Sequence, residues 1–171
     1  MEEPQKTAIS FFNFAHSYAA SALALRKADV RATHPRSPVS FLFFHAIELY
    51  LKAYLLRQGL TEETLRRRDY GHNIMSLANA AEESALILTD ADKEVISHLS
   101  GTDNIITSRY IRLGNHSRLP MDTLHETCFR LHSAIGPQVY EGSGVSRIPV
   151  LEPGPLNKLE KMDIQKAGGN C

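Results

Sequence analysis

The sequence lacks the local motifs by which the common cofactor-binding enzymes are recognised. It contains no G-x-x-x-x-G-K phosphate loop, no G-x-G-x-x-G dinucleotide turn, no H-E-x-x-H and no C-x-x-C. The first two motifs let the backbone approach phosphates, and the last two supply paired metal ligands. The common forms of nucleotide hydrolase, dehydrogenase and zinc enzyme are therefore disfavoured, and we expect no cofactor and no metal.

An excess of charge of one sign and a disulfide framework are lacking as well, and we expect no leader sequence. Lys+Arg and Asp+Glu both number 19, so the composition does not indicate a chain that binds nucleic acid through its overall charge. The two cysteines, Cys128 and Cys171, do not make a disulfide framework and fit a reducing compartment. The N-terminus MEEPQK is acidic and polar, unlike the start of a signal peptide. We expect a cytoplasmic protein.

One predicted helix is apolar almost all the way round. Residues 41–56 read FLFFHAIELYLKAYLL, and their only polar members are His45, Glu48 and Lys52. At about 100° per residue, these three side chains lie within an arc of about 60°. A membrane span needs about 20 apolar residues with few charges. We therefore predict no membrane span but the buried core helix of a bundle, with one polar seam made of these three side chains.

Periodicity and capping signals predict further helices on both sides of this one. Ser37 and Pro38 are expected to begin the core helix and Gly59 to end it, whereas Gly136-Pro137 should end the last helix. The predicted helices cover about residues 6–30, 37–58, 61–68, 73–85, 90–100 and 120–135, and 103–114 is expected to be partly helical.

These elements predict an all-α protein, an antiparallel bundle of four or five main helices. We divide the chain into a helical bundle over 1–136 and a C-terminal tail over 137–171. The tail holds five of the ten glycines and four of the eight prolines. It is expected to be irregular, apart from a short helix near 156–164.

Three segments, taken in order, resemble the HEPN domain. HAIELYLKAYLL at 45–56, GHNIMSL at 71–77 and SRY at 108–110 are similar to the family's A-x-E-x-x-L-K-A-L-L helix, G-H-x-L-x-x-L helix start and A-R-Y-P-like segment. The resemblance covers about residues 8–135. It implies an antiparallel, usually dimeric bundle with one of two activities. Some members are binding modules that work beside minimal nucleotidyltransferases, and others are metal-independent ribonucleases with an Arg-x4–6-His motif.

The binding-module subgroup is the closer resemblance, because Tyr110 follows Arg109 as in the A-R-Y-P segment. The resemblance implies a homodimer that binds a nucleotide or RNA. Because this chain carries no nucleotidyltransferase signature, a nucleotidyltransferase-type partner is either encoded elsewhere or absent. Between 104 and 121 there are three arginines, one tyrosine and no acidic residue, a patch that can hold phosphates and stack a base. The candidate ligand-binding residues are Glu48, Lys52, His72, Arg109, Tyr110 and Arg112.

Two alternatives remain open. The first is a metal-independent endoribonuclease of the toxin or defence type, in which His116 transfers the proton of the RNA 2′-OH and Arg109 stabilises the phosphate charge. The second is a structural or regulatory dimer without a ligand, in which the seam is a satisfied core network. A metal site on the last helix is disfavoured, because His125 and His132 are separated by about 10 Å of helix rise; Cys128, between them, is expected to fill the core.

Overall fold

The structure, a computed structural model, describes residues 4–28, 30–100 and 119–155. In these ranges the protein is all-α, with antiparallel packing and no strand, as predicted. Five helices have ten or more residues and one is short. They are α1 Pro4–Lys27, α2 Arg36–Arg57, α3 Glu62–Arg66, α4 Ile74–Glu83, α5 Asp90–Ser100 and α6 Met121–Tyr140. The predicted segments 103–114 and 156–164 lie outside the described residues.

Helix α2 is the centre of the bundle, as its apolar sequence predicts. It packs against α1, α6 and α4, and nearly every residue from Phe43 to Leu56 is buried. By length and composition alone α2 could cross a membrane, but 67% of its most apolar window is buried inside the protein. Burial against three other helices accounts for an apolar surface on every side.

The ends of α2 match the sequence signals in part. Gly59 ends the helix with a φ of +100°, and the Leu60 N–H donates to the Leu55 carbonyl, as in a Schellman motif. The start was predicted two residues too late, because Pro35 takes the N-cap position and Arg36 is already helical. Pro38 is tolerated inside the first turn, where a backbone N–H has no carbonyl partner within the helix in any case.

The prediction that Gly136-Pro137 ends α6 is wrong, since the helix continues to Tyr140. Proline normally clashes with the Cβ of the preceding residue when that residue is helical. Gly136 has no Cβ, so the clash is absent. The same missing Cβ leaves room for Phe12 of α1, whose ring would lie 3.0 Å from it. The apolar stripe of α6, from Met121 to Ile135, is buried against the rest of the bundle.

The shorter helices begin within one residue of the predicted starts at about 61, 73 and 90. The Thr61, Asn73 and Thr89 side chains accept from backbone N–H groups at the starts of α3, α4 and α5. Helix α4 ends earlier than predicted, because Ala85 lies beyond its last turn with a φ of +72° and is exposed.

After α6 the chain turns back over the bundle. Residues 148–154, which we call the strap, follow α6 without forming a helix and pack against α1 and α6. Leu151 is the strap's core residue, with 4% of its surface exposed.

Candidate functional site

A buried carboxylate lies at the middle of α2. Glu48 is 1% exposed, and its Oε1 accepts from Lys52 Nζ at 2.5 Å. His72 reaches the same carboxylate from the loop before α4, with Nδ1 at 3.2 Å from Oε1 and 3.3 Å from Oε2. We call Glu48, Lys52 and His72 the Glu48 cluster.

The local sequence explains how these side chains meet. Lys52 follows Glu48 by one helical turn, so the two side chains lie on one face of α2. His72 is placed by the turn before α4, in which the Gly71 N–H donates to the Arg67 carbonyl at 2.7 Å. Asn73 then caps α4, which packs on α2 and holds the turn beside it.

The surroundings of Glu48 favour its charged form. Burial alone would raise its pKa, but His45, Lys52 and His72 face the carboxylate and together lower the pKa to about 2. Glu48 is therefore an anion at any physiological pH. Because it is almost inaccessible, it cannot itself be a broad contact surface for a ligand.

His45 completes the predicted seam but plays a different part. Its Nδ1 is 3.9 Å from Glu48 Oε2, beyond hydrogen-bonding distance, and has no hydrogen-bond partner among the described residues. Its ring packs edge-on against Tyr18 at 4.4 Å and is stacked with Phe41 at 6.1 Å. His45 thus joins the seam to an aromatic group shared by α1 and α2.

The accessible member of the Glu48 cluster is His72, whose side chain is 49% exposed. A histidine whose Nδ1–H donates to a carboxylate has its ring orientation and tautomer fixed. The second ring nitrogen, Nε2, is then available to a ligand atom. The arrangement is suited to binding an anion or to exchanging a proton through His72, with Glu48 as the positioning residue.

The sequence candidates are only partly brought together. Glu48, Lys52 and His72 meet, whereas Arg109, Tyr110, Arg112 and His116 lie outside the described residues. A cavity of about 300 Å³ lies elsewhere, where the end of α1 and the starts of α2 and α6 meet. None of the candidate ligand-binding residues lines it.

A second buried carboxylate was missed by the sequence analysis. Asp92 of α5 accepts from both Nε and Nη2 of Arg130 on α6, at 2.9 and 2.6 Å, and from Thr89. We call these three residues the Asp92 cluster. The pattern Thr89-x-x-Asp92 at a helix start is a visible capping signal, but no local signal indicates Arg130, 38 residues away.

The histidines and cysteine of α6 face different neighbours. His125 donates to the Glu152 carbonyl, Cys128 is buried 3.7 Å from the Phe43 carbonyl, and His132 packs on Phe12. No group of three potential metal ligands occurs among the described residues. Cys128 is a core residue, as predicted.

No family model, no curated protein and no solved structure matches the chain. Over residues 4–28, 30–100 and 119–155 the protein is all-helical, with six helices, and no family is identified for it.

Proposed function

We propose that this protein is a nucleotide- or RNA-binding helical module of the HEPN type. The observation that carries the proposal is the Glu48 cluster: a buried anion that holds a half-exposed histidine in one orientation. In this proposal His72 binds the ligand in its imidazolium form: Nδ1–H donates to Glu48, Nε2–H donates to a phosphate oxygen of the ligand, and Lys52 adds positive charge behind it. The basic segment around Arg109, Tyr110 and Arg112 supplies further phosphate and base contacts.

The resemblance of three ordered segments to the HEPN domain supports the proposal, and two of those segments contribute to the Glu48 cluster. The core helix supplies Glu48 and Lys52, and the GHNIMSL segment supplies His72. Dimerisation and a nucleotidyltransferase-type partner belong to the same proposal, on the same resemblance. A cytoplasmic location is part of it on a separate ground, because the two cysteines do not make a disulfide framework.

The structural alternative, a dimer without a ligand, accounts for the hydrogen bonding of Glu48 as well as the binding proposal does. Glu48 is fully engaged by Lys52 and His72, as expected of a satisfied core network. The two proposals differ at His72, because a residue needed only for packing has no reason to keep half of its side chain in solvent. Its substitution therefore separates them.

The test is a titration of a fluorescently labelled single-stranded RNA, and separately of a labelled nucleotide, with the wild type and His72→Gln. Glutamine can still donate to Glu48 but cannot present the second ring nitrogen. A hydrogen bond to a charged phosphate contributes about 1.5–3 kcal/mol, so the variant should bind at least about tenfold more weakly. His34→Gln is the matched control, because His34 is exposed and precedes α2, about 20 Å along that helix from Glu48. Equal affinity of all three proteins for both ligands would favour the structural alternative.

The endoribonuclease alternative needs a separate test, because it depends on Arg109 and His116 and not on His72. RNA cleavage with EDTA present, abolished by both Arg109→Ala and His116→Ala, would make the protein an enzyme. Absence of cleavage, or cleavage indifferent to His116, would leave the binding module.

A further inference from the structure

The strap contacts the bundle at every third residue. Ile148 lies over Gly136, where a Cβ would come within 3.2 Å of its Cγ2, and Leu151 is buried. Gly154 lies against the Glu126 carboxylate so closely that any Cβ would overlap it. A spacing of three residues is that of a polyproline II helix, and prolines at 149, 153 and 155 restrict this segment to extended conformations.

Histidines of the bundle contact the strap through its backbone. His16 Nε2 of α1 donates to the Val150 carbonyl at 3.1 Å, and His125 Nε2 of α6 donates to the Glu152 carbonyl at 2.8 Å. A third histidine, His132 of α6, lies beside the Pro149 backbone. A charged contact joins the Glu152 side chain to Lys27 of α1 at 2.6 Å.

His132 differs from His16 and His125 because its Nε2 is buried inside the bundle and does not face the strap. Its Nε2 is buried and has no hydrogen-bond partner among the described residues. The ring is packed against Phe12 at 5.0 Å and Tyr50 at 5.9 Å, and the His16 ring lies 5.7 Å away. The titratable groups that face His132 are thus His16 from α1 and Tyr50 from α2, while the strap presents the Pro149 backbone.

We infer that the strap is an acid-released element: it is docked at neutral pH and leaves the bundle when His132 gains a proton. A proton on Nε2 would place an N–H donor and a positive charge in an enclosed apolar site beside His16. His16 and His125 keep their Nε2–H donors when they are protonated, so protonation of these two histidines does not break their bonds to the strap. Detachment would uncover His132 on the side of Pro149 and let water reach its charge.

The direction of the pH effect follows from the pKa of His132. Burial, and then repulsion from His16, lower it from 6.5 to about 4, although the bond to Pro149 acts in the opposite direction. A base with a lowered pKa in the docked state favours docking above pH 6.5, and that preference is lost as the pH falls toward 4. If detachment restores the ordinary pKa, the docking constant at pH 4.5 is smaller by about 80-fold.

The experiment places a nitroxide spin label on the strap of the full-length chain. Val150→Cys is suitable because Val150 is 88% exposed, while Cys128 is fully buried and Cys171→Ser removes the other thiol. The electron paramagnetic resonance spectrum is recorded between pH 7.5 and 4.5, and helicity is followed by circular dichroism. We expect a mobile component that grows below about pH 6, reverses on neutralisation and leaves helicity unchanged.

Three further variants complete the test. Leu151→Ala should give the mobile spectrum at pH 7.5, which shows that the label reports detachment. His132→Gln should keep the docked spectrum down to pH 4.5, and His34→Gln should behave like the parent. Acid release that is unchanged in His132→Gln, an unchanged spectrum in the parent at pH 4.5, or release only together with loss of helicity would overturn the inference.

Discussion

Glu48 and Asp92 are two carboxylates with nearly the same burial and very different surroundings. Both are almost inaccessible, and both have a pKa below the ordinary value. Every partner of Asp92 belongs to a packed element: Thr89 begins α5, and Arg130 comes from the neighbouring helix α6. Glu48 instead binds one buried lysine and one histidine from a loop, and half of that histidine's side chain is in solvent.

The difference teaches how to separate a structural ion pair from a candidate site. Burial and a lowered pKa do not distinguish them, because both clusters have these properties. The distinguishing property is the accessibility of the partner that the carboxylate positions. The Asp92 cluster joins two helices and should matter for stability, whereas the Glu48 cluster directs His72 outward and should matter for binding.

The largest expected effect is on the Asp92 cluster. Arg130→Met removes the hydrogen bonds from Nε and Nη2 to Asp92 and the bond from Nη2 to Thr127, and it leaves the Asp92 charge buried. We therefore expect the free energy of unfolding to fall by about 3–5 kcal/mol. Urea denaturation at pH 7 measures it. Arg66→Met is the matched control, because the Arg66–Glu62 pair is exposed on α3 and should contribute less than about 1 kcal/mol. Equal effects of the two substitutions would contradict the structural role of Arg130.

The next effect is a pH dependence assigned to Glu48. Because its pKa is lowered, its contribution to stability is present above about pH 4.5 and is lost as the pH falls toward 2. A decrease from 4.5 to about 2 corresponds to about 3 kcal/mol. The free energy of unfolding of Glu48→Gln should therefore fall less steeply than that of the wild type between pH 5 and 2. Parallel curves would show that Glu48 is not held as an anion in the fold.

A smaller effect is expected at the cap of α5. Thr89→Val keeps the side-chain shape but removes the hydroxyl that bonds Asp92 and its backbone N–H, which should cost about 1 kcal/mol. The comparison is with Thr61→Val at the start of α3, a helix of only five residues whose cap is exposed, where urea denaturation should detect a smaller loss. A larger loss at Thr61 would mean that the Asp92 cluster adds nothing to an ordinary cap.

The smallest effect on stability is expected at His72. His72→Gln retains a donor for Glu48 in a half-exposed position, so the free energy of unfolding should change by less than about 0.5 kcal/mol. Urea denaturation beside His34→Gln checks this. A loss comparable to that of Arg130→Met would remove the contrast between the two clusters.

Much of the fold was predictable because its determinants are local. The apolar sequence of α2 predicts its central position, and the caps at Thr61, Asn73 and Thr89 mark the true starts of three helices. The error at Pro137 also has a local cause, since Gly136 lacks the Cβ that contributes to the clash usually ending a helix before proline. The prediction used the proline rule without the exception that a preceding glycine allows.

The sites were less predictable because their determinants are distant in sequence. The seam at Glu48 and Lys52 was visible from helical spacing, and His72 was a candidate only through the resemblance to the HEPN domain. The bond between Asp92 and Arg130 joins residues of two helices, and no periodicity within either helix specifies it. The strap had a signal in the threefold spacing of Ile148, Leu151 and Gly154 among prolines, but an irregular composition concealed it.

The central claim is that the Glu48 cluster binds a nucleotide or RNA, whereas the Asp92 cluster stabilises the fold. The most direct test is RNA and nucleotide binding by His72→Gln and Arg130→Met, measured by fluorescence anisotropy at a temperature where both variants remain folded. The account predicts at least about tenfold weaker binding for His72→Gln and wild-type affinity for folded Arg130→Met. Wild-type affinity of His72→Gln for every RNA and nucleotide that the protein binds, or no binding of either by the wild type, would contradict it.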